Sequence, residues 1–126
     1  MAGGFSAWLE NDILERYLRA SGAVYVSLHV SDPGDNAGPG EVSSSGTGYE
    51  RQEISFGSPS NGSATNDAVV TYDPASTDWG TVTHFGIWDA VTAGHLLWYG
   101  PLIGSKPMTT GDVFRFNTGQ VTCSAE

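Results

Sequence analysis

Residues 78–89, DWGTVTHFGIWD, contain three side chains that could do acid–base chemistry: Asp78, His84 and Asp89. Side chains alternate between apolar and polar over 81–89, which predicts a β-strand. The two aspartates then stand at its ends, about 30 Å apart at ~3.3 Å per residue. A glycosidase holds its two carboxylates about 5–10 Å apart. We therefore predict an ordinary strand here and no catalytic carboxylate pair.

His84 and His95 fall on the two strands of a predicted hairpin, 81–102, and could face each other across it. A two-histidine metal site is conceivable there, but a cross-strand contact explains the pair more simply. The sequence has neither a G-x-S-x-G elbow nor an H-E-x-x-H motif. We predict that the chain is not an enzyme and that it has no catalytic residues, bound metal or cofactor.

A polar stretch of about eighteen residues, 31–48, carries the acids Asp32, Asp35 and Glu41. These carboxylates could share a calcium ion, but their spacing does not match an EF-hand loop. A solvated turn is the preferred interpretation. Because long loops in compact domains are usually functional or mobile, we treat the three acids as candidates for a protein interface.

Tryptophans near polar loops can stack on sugars, and Trp79, Trp88 and Trp98 are candidates. Within a β-sandwich, however, tryptophans mostly fill the core. Glycan binding is therefore kept as an alternative function.

One helix is predicted, over 6–22, because Ser6 can cap its start and Gly22 can end it. Its apolar stripe comprises Leu9, Ile13, Leu14, Tyr17 and Leu18, with Trp8 at its edge. The stripe is expected to pack on its own domain. The alternative is that part of the helix docks on a neighbouring subunit, and Phe5, Trp8 and Leu9 are the candidate anchors.

The rest of the chain is rich in turns and short alternating segments. Strands are predicted at 23–30 (half-buried), 49–56, 68–73, 81–89, 95–102, 113–116 and 120–124. Residues 117–119, NTG, are predicted to turn between the last two strands. Nothing alternates strand with helix, which favours an antiparallel β-sandwich or jelly-roll-like barrel with one N-terminal α-helix. We predict a helical arm at 1–22 and a single β-sandwich domain at 23–126.

Composition excludes several classes of partner. Five Lys and Arg stand against fourteen Asp and Glu, a net charge of −9, which argues against nucleic acids and anionic membranes. The single cysteine, Cys123, excludes a disulfide within the chain. Neither a transmembrane run nor a signal peptide is recognisable, so we expect synthesis in the cytoplasm.

Four segments, in order and spanning nearly the whole chain, carry a likeness to a known family. They are FSAWLENDILERYLR, VYVSLHVSDPGDNAGPGEVS, GYERQEISFGSPSNG and DWGTVTHFGIWDAVTAGHLLWYGPL. With these segments the chain resembles a family of small phage virion proteins that are often labelled tail fibre proteins. The resemblance implies a virion component, assembled in the host cytoplasm, and leaves its place on the particle open.

The chain is short and shows neither a repeat nor coiled-coil heptads, unlike a long receptor-binding fibre. A capsid decoration or cement protein is the favoured hypothesis. It would bind the major capsid protein as a homo-oligomer, with a trimer expected. The alternative is a tail-tip or tail-fibre-associated protein that binds a host surface polysaccharide. A metal-dependent enzyme is the third and weakest hypothesis.

Overall fold

A computed structural model of the chain describes residues 3–35 and 38–125. Helix α1 (Ala7–Leu14) continues directly as a π-helix (Glu15–Ala20). The strands that follow are β1 (Val24–His29), β2 (Gln52–Ile54), β3 (Ser63–Thr65), β4 (Val70–Thr71), β5 (Gly80–Trp88), β6 (Leu96–Met108), β7 (Arg115–Phe116) and β8 (Thr122–Ser124).

Every strand pair is antiparallel. The largest sheet has the order β2-β1-β5-β6, while β3 pairs with β8 and β4 with β7. The predicted all-β class, with antiparallel pairing and one N-terminal helix, is confirmed. The jelly-roll-like barrel stays a prediction, because this pairing closes no sheet of the described residues into a barrel.

The helix begins as predicted, since the Ser6 side chain accepts a hydrogen bond from the Leu9 N–H (3.3 Å). It differs from the predicted α-helix in its last part, which is a π-helix ending before Gly22. Leu14 and Leu18 are buried in the core of the β body, so part of the stripe packs on its own domain. The division into an arm at 1–22 and a domain at 23–126 stays a prediction.

Strand β1 is buried on both faces, so its prediction as a half-buried strand is wrong. Ser27 and His29, expected to face solvent, are 0% exposed. The Trp88 indole covers Ser27 and donates a hydrogen bond to its hydroxyl (2.7 Å). His29 is covered by the following loop, where the Pro39 carbonyl oxygen lies 2.9 Å from His29 Nδ1.

The hairpin predicted at 81–102 is confirmed by the pairing of β5 with β6, and β6 extends beyond the predicted strand end at residue 102 to Met108. The register shifts between Val82 and His84, so residues 102–105 bulge out of β6. A glycine within a strand indicates a close approach by a large neighbour, and the sequence suggests Trp98 or Tyr99 as that neighbour of Gly86, but the structure places other atoms there. A Cβ at Gly86 would lie 2.7 Å from Ser27 Oγ and 2.9 Å from a Leu96 methyl carbon.

Residues 57–67, between the predicted strands 49–56 and 68–73, have a polar composition that predicts a loop, yet they contain β3. The predicted turn between the last two strands is also wrong as a hairpin, because β7 and β8 lie in different sheets. Asn66 explains this separation. Its side chain donates to the Asn117 carbonyl oxygen (3.0 Å) and accepts from the Val121 N–H (2.9 Å), which ties the connection to a third segment.

All three sheets contribute to one core, through residues such as Val26, Ala64, Val70, Phe116 and Cys123. No helix among the described residues is long and apolar enough to span a membrane.

Candidate functional site

Glu41, a candidate interface residue, is half-buried and binds side chains of its own chain, and its role at an interface stays a prediction. Its two carboxylate oxygens accept hydrogen bonds from Arg51 Nε and Nη2, both at 2.9 Å. The Tyr49 hydroxyl donates a third, at 2.6 Å. Burial by itself would raise the pKa of Glu41, but these hydrogen bonds and the Arg51 charge outweigh it and hold the pKa below 4.5. A carboxylate bound in this way is not free to hold calcium.

Arg51 connects Glu41 to the hairpin loop. Its guanidinium lies 3.8 Å from the centre of the Trp88 ring and donates to the carbonyl oxygens of Ala90 (3.0 Å) and Ala93 (2.8 Å). The cation thus fixes the loop between β5 and β6, and so sets where β6 begins.

Ser27 and His29 are in hydrogen-bond contact, with Ser27 Oγ 2.6 Å from His29 Nε2. A serine hydrolase also joins a serine to a histidine, but this pair has no surface on which to meet a substrate. Because His29 Nδ1 donates to the Pro39 carbonyl oxygen, Nε2 accepts from the serine hydroxyl. Burial lowers the pKa of His29 and keeps it neutral. The Ser27–His29 pair therefore holds the loop that contains Pro39 against β1.

The predicted meeting of His84 with His95 is wrong. The irregular register places His84 opposite Pro101 on β6 and His29 on β1. His95 instead lies in the hairpin loop, where its Nδ1 is 2.8 Å from an Asp89 carboxylate oxygen. The backbone N–H and ring of His95 both lower the pKa of Asp89.

Two further candidate acids accept hydrogen bonds from the backbone. Asp78 accepts from the backbone N–H of Thr110 (2.9 Å), while Asp32 accepts from the Gly34 N–H (2.9 Å). Asp32 and Asp35 are exposed, and residues 36 and 37 of the same loop lie outside the described residues. Across 3–35 and 38–125, no three His, Cys, Asp or Glu side chains form a group able to hold a metal ion.

The helix exposes aromatic side chains. Trp8 is 73% exposed, and Phe5, just before the helix, and Tyr17 are each about half exposed. We call these three exposed side chains the helix apolar surface; Phe5 and Tyr17 share one depression, and Trp8 lies outside it. Leu9 is half-buried. A depression between the helix and strand β6 is lined by Phe5 and Tyr17 from the helical segment and by Leu97 and Trp98 from β6. The candidate anchors Phe5 and Trp8 are therefore available for contact, and their role stays a prediction.

A longer groove, here called the β6 groove, follows strand β6. It consists of two adjoining depressions that share Phe85, Pro101, Ile103 and Gln120. The aromatic half, of about 420 Å³, is lined by Trp98 and Tyr99. The cationic half, of about 270 Å³, is lined by Lys106, Phe114, Arg115, Phe116 and Asn117.

Of the three tryptophans considered for sugar binding, only Trp98 lines this groove. Trp79 and Trp88 are buried, and the Trp79 indole N–H donates to the Thr47 carbonyl oxygen (2.9 Å). Trp98 is half-buried, with its indole N–H on the Ser124 carbonyl oxygen (3.1 Å). Its neighbour Tyr99 is 43% exposed and has no hydrogen bond from its hydroxyl to the described residues.

Sequence reasoning missed the groove because its residues come from separate segments. One local signal in the sequence could have indicated the cationic half of the groove. Residues 90–111 contain Lys106 and no acidic residue, although the whole chain has a net charge of −9. Sequence reasoning also missed the structural role of Arg51, because this role depends on its contacts with Glu41 and Trp88, which form only in the folded chain.

An antiparallel β body with one N-terminal helix defines a small all-β protein. The family model described as Podophage GP4 fiber I protein gp80 matches residues 4–124. The chain therefore belongs to this family of phage fibre proteins and is a virion component, as the sequence resemblance predicted. A comparison with curated proteins finds no match.

Proposed function

We propose that this chain is a tail-fibre-associated virion protein that binds a glycan on the host surface through the β6 groove. The family is one of fibre proteins, which favours the tail over the capsid. The observation that carries the proposal is that two aromatic residues of β6, Trp98 and Tyr99, both line the aromatic half of this groove. Aromatic rings at the surface combine an apolar face with a polar tip, which suits the apolar faces and hydroxyl edges of a sugar.

The protein acts by binding alone in this proposal, without catalysis and without a cofactor. The helix apolar surface, on the other side of Trp98, contacts the rest of the particle. Two surfaces with separate residues let one molecule hold the virion and the host glycan at the same time.

Capsid decoration is the second candidate. It is supported by the single shared core of the described residues, a shape suited to a compact knob, and would require the major capsid protein and further copies of this chain as partners. It assigns the helix apolar surface to shell contacts and gives the β6 groove no role in host binding.

Tyr99→Ala tests the glycan function. We expect fluorescently labelled protein to bind host cells and the variant to lose at least about tenfold in affinity, because an exposed ring leaves the groove. Tyr17→Ala is the matched control, since Tyr17 is 49% exposed and lies outside the β6 groove. Equal binding by the two variants, with melting temperatures unchanged, would refute the proposed groove function.

A further inference from the structure

The chain has five basic side chains, and they fall into two groups. Arg16, Arg19 and Arg51 each form an ion pair, with Asp12, Glu15 and Glu41 respectively. Lys106 and Arg115 have no carboxylate within 4 Å among the described residues, and both line the cationic half of the β6 groove. Both unpaired cations therefore lie at one place on a chain of net charge −9.

Asp112 forms no ion pair with Lys106 within 4 Å. Its Oδ2 accepts from the backbone N–H of Thr109 (2.9 Å) and from the Thr109 hydroxyl (3.1 Å), and these hydrogen bonds lower the pKa of Asp112 more than the Lys106 charge does. Lys106 Nζ lies 5.4 Å from the centre of the Phe114 ring, so the ammonium group is held over an apolar wall and not over an acid.

Polar groups that suit hydroxyls stand beside the cations. Gln120 Oε1 accepts from the Asn117 backbone N–H (2.6 Å), which fixes the Gln120 side chain and leaves its NH₂ group free to donate. The Asn117 side-chain amide has no hydrogen bond to the described residues. This half of the groove, at about 270 Å³, is smaller than the roughly 300–1,000 Å³ pockets that hold drug-sized ligands. A single sugar residue is the size of ligand that it suits.

The overall charge limits which anion can enter. A long polyanion would lie along a surface of net charge −9 and be repelled by it, whereas one carboxylate or phosphate group meets only the local cations. We propose that the cationic half of the β6 groove binds one acidic sugar residue, with Lys106 and Arg115 on its carboxylate or phosphate group and the amides on its hydroxyls. This inference rests on the proposed glycan function and specifies its ligand.

Calorimetric titration of the full chain tests the inference with four probes: trigalacturonate, glucose 6-phosphate, neutral maltotriose and inorganic phosphate. We expect at least one acidic sugar to bind at least about tenfold more tightly than maltotriose, and more weakly at high salt. Inorganic phosphate should bind more weakly than glucose 6-phosphate. Equal binding of these two would mean an anion site without sugar recognition and would overturn the proposal.

Lys106→Gln and Arg115→Gln should each weaken the acidic sugar about tenfold, because a charged hydrogen bond is lost. Lys106→Arg should retain binding. Arg16→Gln is the matched control, since it removes the same charge from a pair on the helix. The inference fails if neither acidic sugar binds the wild type, or if the Lys106→Gln, Arg115→Gln double variant binds like it.

Cell binding separates this failure from failure of the proposed function. If Tyr99→Ala abolishes attachment to host cells while the double variant attaches normally, the groove binds a glycan but not through an acidic sugar. If the wild type does not bind cells, the host-binding function itself is refuted.

Discussion

Glu41 gives the clearest case of a residue whose role depends on its neighbours. In the sequence it is one of three acids in a polar loop, which made a solvated turn with a possible interface role the natural prediction. In the structure Glu41 accepts hydrogen bonds from both Arg51 and Tyr49. Removal of the Glu41 carboxylate would therefore leave the partly buried Arg51 cation without its ion pair. Loop composition could not predict this, because the three residues meet only after β1 and β2 have paired.

His29 should make stability depend on pH in a defined window. Its pKa is lowered from 6.5 by burial, so below pH 6.5 the unfolded chain binds a proton that the folded chain does not. Stability from the neutral form is complete above this pH and falls on acidification, by up to about 1.4 kcal/mol per pH unit. We expect urea unfolding to show this loss between pH 7.5 and 5.5, and a smaller loss in His29→Gln.

Ile103→Ala serves as the control because Ile103 is 93% exposed and carries no ionisable group, and it should keep the wild-type pH dependence. Glu41 and Asp89, whose pKa values are lowered, lose their contribution only at more acid pH, outside this window. The same pH dependence in His29→Gln and wild type would contradict a neutral, buried His29.

At the scale of elements, the helix has two different faces. Leu14 and Leu18 belong to the core, so deletion of residues 1–20 would open a cavity in the body and cannot report on attachment alone. Trp8→Ala avoids this problem because Trp8 is exposed. We expect the variant to unfold within about 0.5 kcal/mol of the wild type and to co-sediment with particles much less.

Ala7→Ser, on the same exposed turn, is a suitable control for Trp8→Ala and should keep particle binding. Undiminished co-sedimentation of Trp8→Ala would remove the helix apolar surface from the attachment site.

Local patterns predicted the elements whose signals are local. The β5–β6 hairpin was predictable because alternation and a short connection occur within about twenty residues. Strand β3 was not, since Ser63–Thr65 is short and gains its strand geometry from β8, about sixty residues away. The partners of His84 were mispredicted for another reason, because a shift of register between Val82 and His84 changes what each residue faces. The β6 groove was missed because its walls come from β5, β6, β7 and β8, which are separate in the sequence.

At the scale of the whole molecule, copy number distinguishes the two candidate positions on the virion. A tail-fibre-associated protein should be present in a few copies per particle, far fewer than the major shell protein. Calibrated mass spectrometry of purified particles measures this ratio. A ratio near that of the shell protein would support capsid decoration, and absence from the particle would contradict the virion assignment.

Strand β6 lies at an edge of its sheet and contains Pro101 and Pro107. Proline has no N–H to donate, so a second β6 cannot form a continuous ladder with this edge. Proteins tethered close together on a particle meet at millimolar effective concentrations, where open strand edges would otherwise join into fibrils. These two prolines should therefore keep neighbouring copies of the chain from joining edge to edge through β6, even in concentrated solution.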